Sequence, residues 1–328
     1  MRSLASGKPV LLLLALCATT AAAAGMSYPC YEAASAPVMD GVVAGDPAWQ
    51  QIPAVTGFSK LGNGYTDAKQ TWVQACWDDQ AFYIGVTCEE PDVGRLQLQV
   101  RDGGPTWSDD GVEVFLEPGA GAQVRQFVVT AGGARGGFEG APDFRRYQAA
   151  AHAEAATYSL EIRIPFELLG ATPGLGGWWR GNFCRNIFTT TSGGDKFTCW
   201  APLQTRFLEP EHFATIEFLG PAPDPARVSV IAERLNRPYR DDLLRRLQAA
   251  AAGSLEYVPA LTEASQDPRF HPQARGLLRR WRQLERALRQ GDRTPLAQLR
   301  PIQKGAEVLT QESYELKYTY LIATVLGD

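Results

Sequence analysis

The chain has 328 residues, 45% hydrophobic and 21% charged, with a formal net charge of −4, a length that allows about two domains and a sizeable core. Charge is unevenly placed: residues 226–328 hold 17 basic and 12 acidic side chains, whereas residues 25–225 carry a net −11. An acidic module of that kind repels nucleic acid and suits neutral sugars or divalent cations, while the tail's arginines recur on what read as solvated helix faces.

Arg2 and Lys8 precede the apolar run Val10 to Leu16, and the small-residue tract Ala21 to Ala24 supplies a cleavage site. Together they predict a secretory signal over 1–24, a mature start near Gly25 and a secreted or periplasmic protein. Leu16 stands before Cys17 where a lipoprotein would carry a small residue. No later stretch has the roughly 18 to 20 unbroken apolar residues of a membrane span.

Strand signals follow. Thr71–Trp77 alternates, Asp78-Asp79-Gln80 turns the chain, and Ala81–Cys88 returns it, so a β-hairpin is predicted with Trp77 read as core. Gly111–Leu116 and Gln126–Thr130 read as the next pair. Tyr158–Ile164 alternates up to Pro165, placing Leu160, Ile162 and Ile164 on one face. Asn182–Thr189 and Lys196–Trp200 flank Ser192-Gly193-Gly194-Asp195 as another hairpin, and Phe213–Leu219 is a closing strand. Composition then changes at the proline-rich segment 221–226, giving a β domain over 25–220, a linker, and a helical region over 227–328. Within that region 239–252, 272–290 and 306–325 carry apolar residues at helical steps. Such helices would cover one another or the β domain, or mediate self-association.

Trp107 to Leu116 carries the chemistry. An aromatic ring beside Asp109, Asp110 and Glu113 can grip a sugar, because pyranose C–H faces stack on the ring while carboxylates accept from hydroxyls. The same residues could seat calcium, with Asp109 and Asp110 as ligands, or only shape a turn. In strand phase Val112, Val114 and Leu116 claim the core and Glu113 faces outward. His152, His212 and His271 are far apart and no C-x-x-C pair exists, so neither a transition metal nor haem is expected, and no nucleotide. Five cysteines follow the signal, and Cys184 and Cys199, symmetric about the 191–192 turn, are the candidate disulfide. There is no G-x-S-x-G elbow, and acidic residues confined to one loop and strand do not make a glycosidase pair, so a non-catalytic protein is expected.

One set of residues, in order, resembles the family 9 carbohydrate-binding modules: Asp40-Gly41, Asp46-Pro47-Ala48-Trp49, Trp77-Asp78-Asp79, Phe82-Tyr83-Ile84, Trp107 to Leu116, Glu161, Ile164-Pro165-Phe166 and Leu169-Gly170. Asn182 to Asn186, Trp200-Ala201-Pro202 and Pro210 to Ile216 continue it, so the resemblance covers about 37–219. It implies a jelly-roll or immunoglobulin-like sandwich of two antiparallel sheets that binds polysaccharide or oligosaccharide, often with structural calcium. Residue by residue, it implies that Trp107 is one wall of an aromatic clamp, that Glu113 bonds sugar hydroxyls, and that Asn186 faces the ligand. The second wall falls on Phe207 where the family has tryptophan, and Val128 stands where the family has an arginine whose role Arg125 or Arg185 would take. The rival expectation is a degenerate sandwich that serves assembly through its C-terminal helices.

Overall fold

The computed structural model describes residues 25–62, 64, 69–137, 143–190 and 196–326, so the signal segment and the Ser192–Asp195 turn lie outside the described residues. In chain order the elements are β1 (Ser27–Glu32), α1 (Pro47–Gln50), β2 (Ser59–Lys60), β3 (Thr71–Trp77), β4 (Ala81–Glu89), β5 (Gly111–Glu117), β6 (Arg125–Thr130) and β7 (Arg135–Gly136). There follow β8 (Gln148–Ala153), β9 (Thr157–Pro165), α2 (Phe166–Leu169), β10 (Trp178–Asn186), β11 (Phe197–Cys199) and β12 (Ala214–Pro221). The helical region comprises α3 (Pro225–Leu235), α4 (Arg237–Ser254), α5 (Val258–Ala264), α6 (His271–Gln290), α7 (Leu296–Glu307) and α8 (Leu309–Leu326).

Hairpin chemistry sets the strand pairs. The Asp78 carboxylate accepts from the Gln80 and Ala81 amides and from Tyr83 Oη, closing the β3–β4 turn. The strands run in the order β7-β6-β5-β10-β12-β1-β3-β4-β9-β8, with β11 and β2 continuing from β10. In a flat sheet β10 and β9, five places apart, would be separated by about 24 Å. Yet the Arg185 guanidinium of β10 lies 5.2 Å from the Tyr158 ring of β9. The sheet is therefore folded over on itself, and one core, including Val114, Phe127, Phe183, Ile84, Val86 and Leu160, is drawn from both halves.

This corrects the expectation of two purely antiparallel sheets. β1 runs parallel to both β12 and β3, and the sheet is mixed and continuous. The reason is connectivity: antiparallel order follows from tight hairpins, and β1 is joined to neither neighbour by one. It is held by burial instead, with Tyr28 and Cys30 in the core and Tyr28 Oη bonded to Pro53 O and to the backbone of Ala75.

Several residues of the family-like pattern are framework. Glu161 accepts from Trp49 Nε1 at 2.7 Å and from the Asp40 and Gly41 amides at 3.0 and 2.7 Å. Gly41 has φ +87° and a Cβ there would meet the Ala151 backbone at 2.5 Å, so glycine is required. Asp46 caps α1, whose Trp49 is buried against Gly85.

β10 begins at Trp178 and stops at Asn186, earlier at both ends than its sequence suggests. Beyond Asn186 the Phe188 amide bonds the Asp110 carboxylate at 2.8 Å, so the chain leaves the ladder. The expected proline-rich linker is short: Pro221 ends β12, and Asp224 caps α3 with Pro225 at its first turn. Helices α4, α6 and α7 share one core, and α5, α6 and α8 another. Helix α8 leaves Tyr314, Tyr318, Leu321, Ile322 and Val325 exposed.

Candidate functional site

Alternation assigns two faces to the β6-β5-β10-β11 part of the sheet. Val112, Val114, Leu116, Phe127 and Phe183 point into the core. The opposite phase carries Glu113, Phe115, Gln126, Cys184, Asn186, Phe197 and Cys199, brought side by side by the register Glu113↔Cys184, Phe115↔Gln126, Cys184↔Cys199 and Asn186↔Phe197. Two loops close over this face, one carrying Trp107 and one carrying Phe207. The result is a cleft of about 1220 Å³.

Its polar corner is built around Glu113, which is 3% exposed. Asn186 Nδ2 donates to Glu113 Oε1 and Gln126 Nε2 donates to Glu113 Oε2, each at 2.7 Å. Burial holds the Glu113 carboxyl above its ordinary value, with the two amide bonds acting in the opposite direction. Asn186 Nδ2 also reaches Trp107 O at 3.3 Å, whereas its Oδ1 is buried and has no hydrogen-bond partner. A buried acceptor without a donor favours a ligand that brings one.

Trp107 stands on a short turn, Thr106–Ser108, that the acidic pair fixes. Asp109 accepts from the Val100 amide at 2.7 Å, and Asp110 accepts from the amides of Gln97 and Phe188, each at 2.8 Å. Gln97 Nε2 donates to Ser108 O at 2.6 Å. Gly111 then starts β5 so close to β6 that a Cβ would meet Val129 O at 2.5 Å. Calcium takes six to eight oxygens. Here both Asp110 oxygens and one of Asp109 are already bonded to backbone amides, leaving a single buried Asp109 oxygen. That donor set does not fit the ion, and among the described residues no three His, Cys, Asp or Glu side chains gather as a metal site. Asp109 and Asp110 shape the loop.

The Phe207 loop is organised by Glu209. Its carboxylate accepts from the Gln204, Thr205 and Arg206 amides and from Thr205 Oγ1, at 2.6 to 3.2 Å. Desolvation alone would raise this carboxyl, but those bonds outweigh it and hold it down at about 2. Phe207 itself packs edge-to-face on Phe115 and Phe197, with centroids 6.4 and 5.9 Å away.

Trp107, Glu113, Asn186 and Phe207, singled out from sequence, thus line one cleft. The two arginines do not. Arg185, next to Asn186 on β10, faces the other way and is 0% exposed, bonded to Gln70 O, Thr71 Oγ1, Glu89 O and the Glu90 carboxylate. It ties the two layers of the sheet together. Arg125 opposes Leu116 in the core-facing phase of β6 and is not part of the cleft. Cys184 and Cys199 are directly opposed in a pair flanked by the bonded pair Phe183–Trp200, but both are free buried thiols in this structure, as are Cys30, Cys76 and Cys88. Gln126, Phe188 and Phe197 are cleft residues that sequence reading passed over. The pairing of Cys184 with Cys199 was the available signal for Phe197, since the same register sets it opposite Asn186.

Residues 39–217 match the family model described as carbohydrate family 9 binding domain-like. Two solved structures of a family 9 carbohydrate-binding module from Caldicellulosiruptor kristjanssonii, described as complexes with cellotriose and with glucose, are each 19% identical. They cover 61% and 60% of this chain and 96% and 98% of their own, each with a TM-score of 0.47. A carbohydrate-binding protein from Bacteroides uniformis, so described provisionally, is 16% identical over 59% of this chain and 99% of its own, with a TM-score of 0.46. No curated protein sequence matches the chain.

Proposed function

The chain belongs to the carbohydrate family 9 binding domain-like family, a family of non-catalytic binding modules, and from that premise we propose that its β domain is an exported sugar-binding module. A pyranose ring stacks between Trp107 and Phe207, and its hydroxyls meet Asn186 Oδ1 and the Glu113 carboxylate. The observation that supports this most is the convergence of those four side chains on one cleft, with a buried oxygen of Asn186 lacking a donor. A hydroxyl supplies that donor, and ring stacking adds on the order of 1 kcal/mol per aromatic face beyond area burial, so affinity is modest. The mature chain, from about Gly25, works outside the cytoplasm. Among the described residues no helix is long and apolar enough to cross a membrane.

Glycan-array screening followed by affinity electrophoresis tests this reading. Trp107→Ala is expected to abolish retention on the glycan that the array selects; undiminished retention sinks the assignment.

A further inference from the structure

Beyond the Glu113–Asn186 corner the cleft changes character. Phe188, Phe197, Phe207, Phe115 and Phe213 form a continuous ladder of rings, with successive centroids 6.3, 5.9, 6.4 and 5.9 Å apart. The first two contacts are nearly perpendicular, at 90° and 83°. Four of these rings line the cleft, and at its mouth Phe197 is 38% and Leu208 48% exposed. Among the described residues, Glu113 and Arg206 are the only ionisable side chains in the lining. The polar corner is nearly self-satisfied, since Asn186 and Gln126 already occupy both oxygens of Glu113.

A second fully hydroxylated sugar ring laid along Phe188 and Phe197 would stack a C–H face but lose hydration of any hydroxyl turned toward those rings, which offer no hydrogen-bond partner. An aromatic group gains there, because a phenyl edge or face continues an edge-to-face ladder whose rings are already oriented. Resting on the sugar-binding reading above, we propose that the ligand is a glycoside bearing an aromatic substituent, as an aryl glycoside or aroyl ester. The pyranose stacks between Trp107 and Phe207 at the Glu113–Asn186 corner, and the aromatic group seats beyond it against Phe188 and Phe197.

Calorimetric titration of the mature protein with methyl, phenyl and hexyl glycosides of glucose, xylose, galactose and mannose tests this. For the sugar that binds, the phenyl glycoside is expected to bind at least tenfold more tightly than the methyl one. Phe197→Ala, at a partly exposed position that tolerates truncation, is expected to bring that ratio down several-fold, and the ratio is the readout. Equal affinity for methyl and phenyl glycosides overturns the aromatic subsite while leaving sugar binding intact, and so does a hexyl glycoside that matches the phenyl one. Free phenol, titrated alongside, binding as tightly as any phenyl glycoside removes the sugar-binding reading and this inference with it, and no binding by the whole panel overturns this inference.

Discussion

Glu113 is a buried carboxylate whose two oxygens are each held by a side-chain amide, and this arrangement has a pH signature. Burial raises its carboxyl above 4.5, and burial likewise raises those of Asp110 and Glu161. The fold then binds these protons more tightly than the unfolded chain does. Their contribution is fully present below the ordinary carboxylate value and is lost as pH rises from there through the raised folded values. Glu113→Gln removes one of the three, so thermal melts across that window are expected to show a shallower fall in stability than the parent. The same substitution sets an amide group against two amide donors, so either Asn186 or Gln126 loses its acceptor. Glycan affinity is expected to drop about tenfold, and unchanged titration would contradict the role given to this corner. Strand alternation was enough to find Glu113 and to part it from Val112 and Val114. It also forbids Arg185 from sharing a face with Asn186, a constraint that the family resemblance overrode. Gln126 was harder to see, because its place beside Glu113 depends on the β5–β6 register, which the intervening turn sets.

The segment from Gln204 to Glu209 shows the same physics at the scale of an element. It has no ladder of its own, and its Gln204, Thr205 and Arg206 amides converge on Glu209. A carboxyl held at about 2 stabilises this loop above its ordinary value of 4.5, and the contribution is lost as pH falls from there towards 2. In Glu209→Ala those three amides are expected to exchange with deuterium at least tenfold faster, while the β5 amides keep their protection. Equal exchange in variant and parent would show that Glu209 does not hold Phe207 in place. Nothing in the sequence marks this capping, since its donors are backbone groups of a segment without periodicity. Similar reasons hid β8, whose Gln-Ala-Ala-Ala-His-Ala run has little strand preference and, among the described residues, pairs only with β9. β3 and β4, rich in branched and aromatic residues, were legible almost to the residue.

In the whole molecule the question is how the helical region is coupled to the β domain. Periodicity revealed α4, α6 and α8, but a docking contact between distant segments leaves no periodic trace. The contact joins Leu235 of α3, packed against the β-domain core, to specific polar bonds. Asn236, between α3 and α4, accepts from the buried Thr56 amide at 2.8 Å and donates to Ala54 O at 2.9 Å. Arg300 of α7 pairs with Glu89 at 2.6 Å and lies 5.5 Å from the Trp72 ring centroid. Each half has its own apolar core, so such contacts couple two units that could melt separately. Removing Asn236 strands a buried backbone donor at a cost of about 1–3 kcal/mol, and removing Arg300 adds the loss of a largely buried charge pair. Calorimetry of the Asn236→Ala, Arg300→Ala double variant is therefore expected to split the parent transition, with the helical region melting first and the β domain near its original temperature. If the helices serve only to brace the sheet, the double variant will instead unfold in one transition at a lower temperature and lose glycan affinity in parallel. The cleft lies on the opposite face of β10 from the Arg185 layer that meets Gln70, Thr71 and Glu89, so separation of the helical region leaves the Trp107 and Phe207 loops in place.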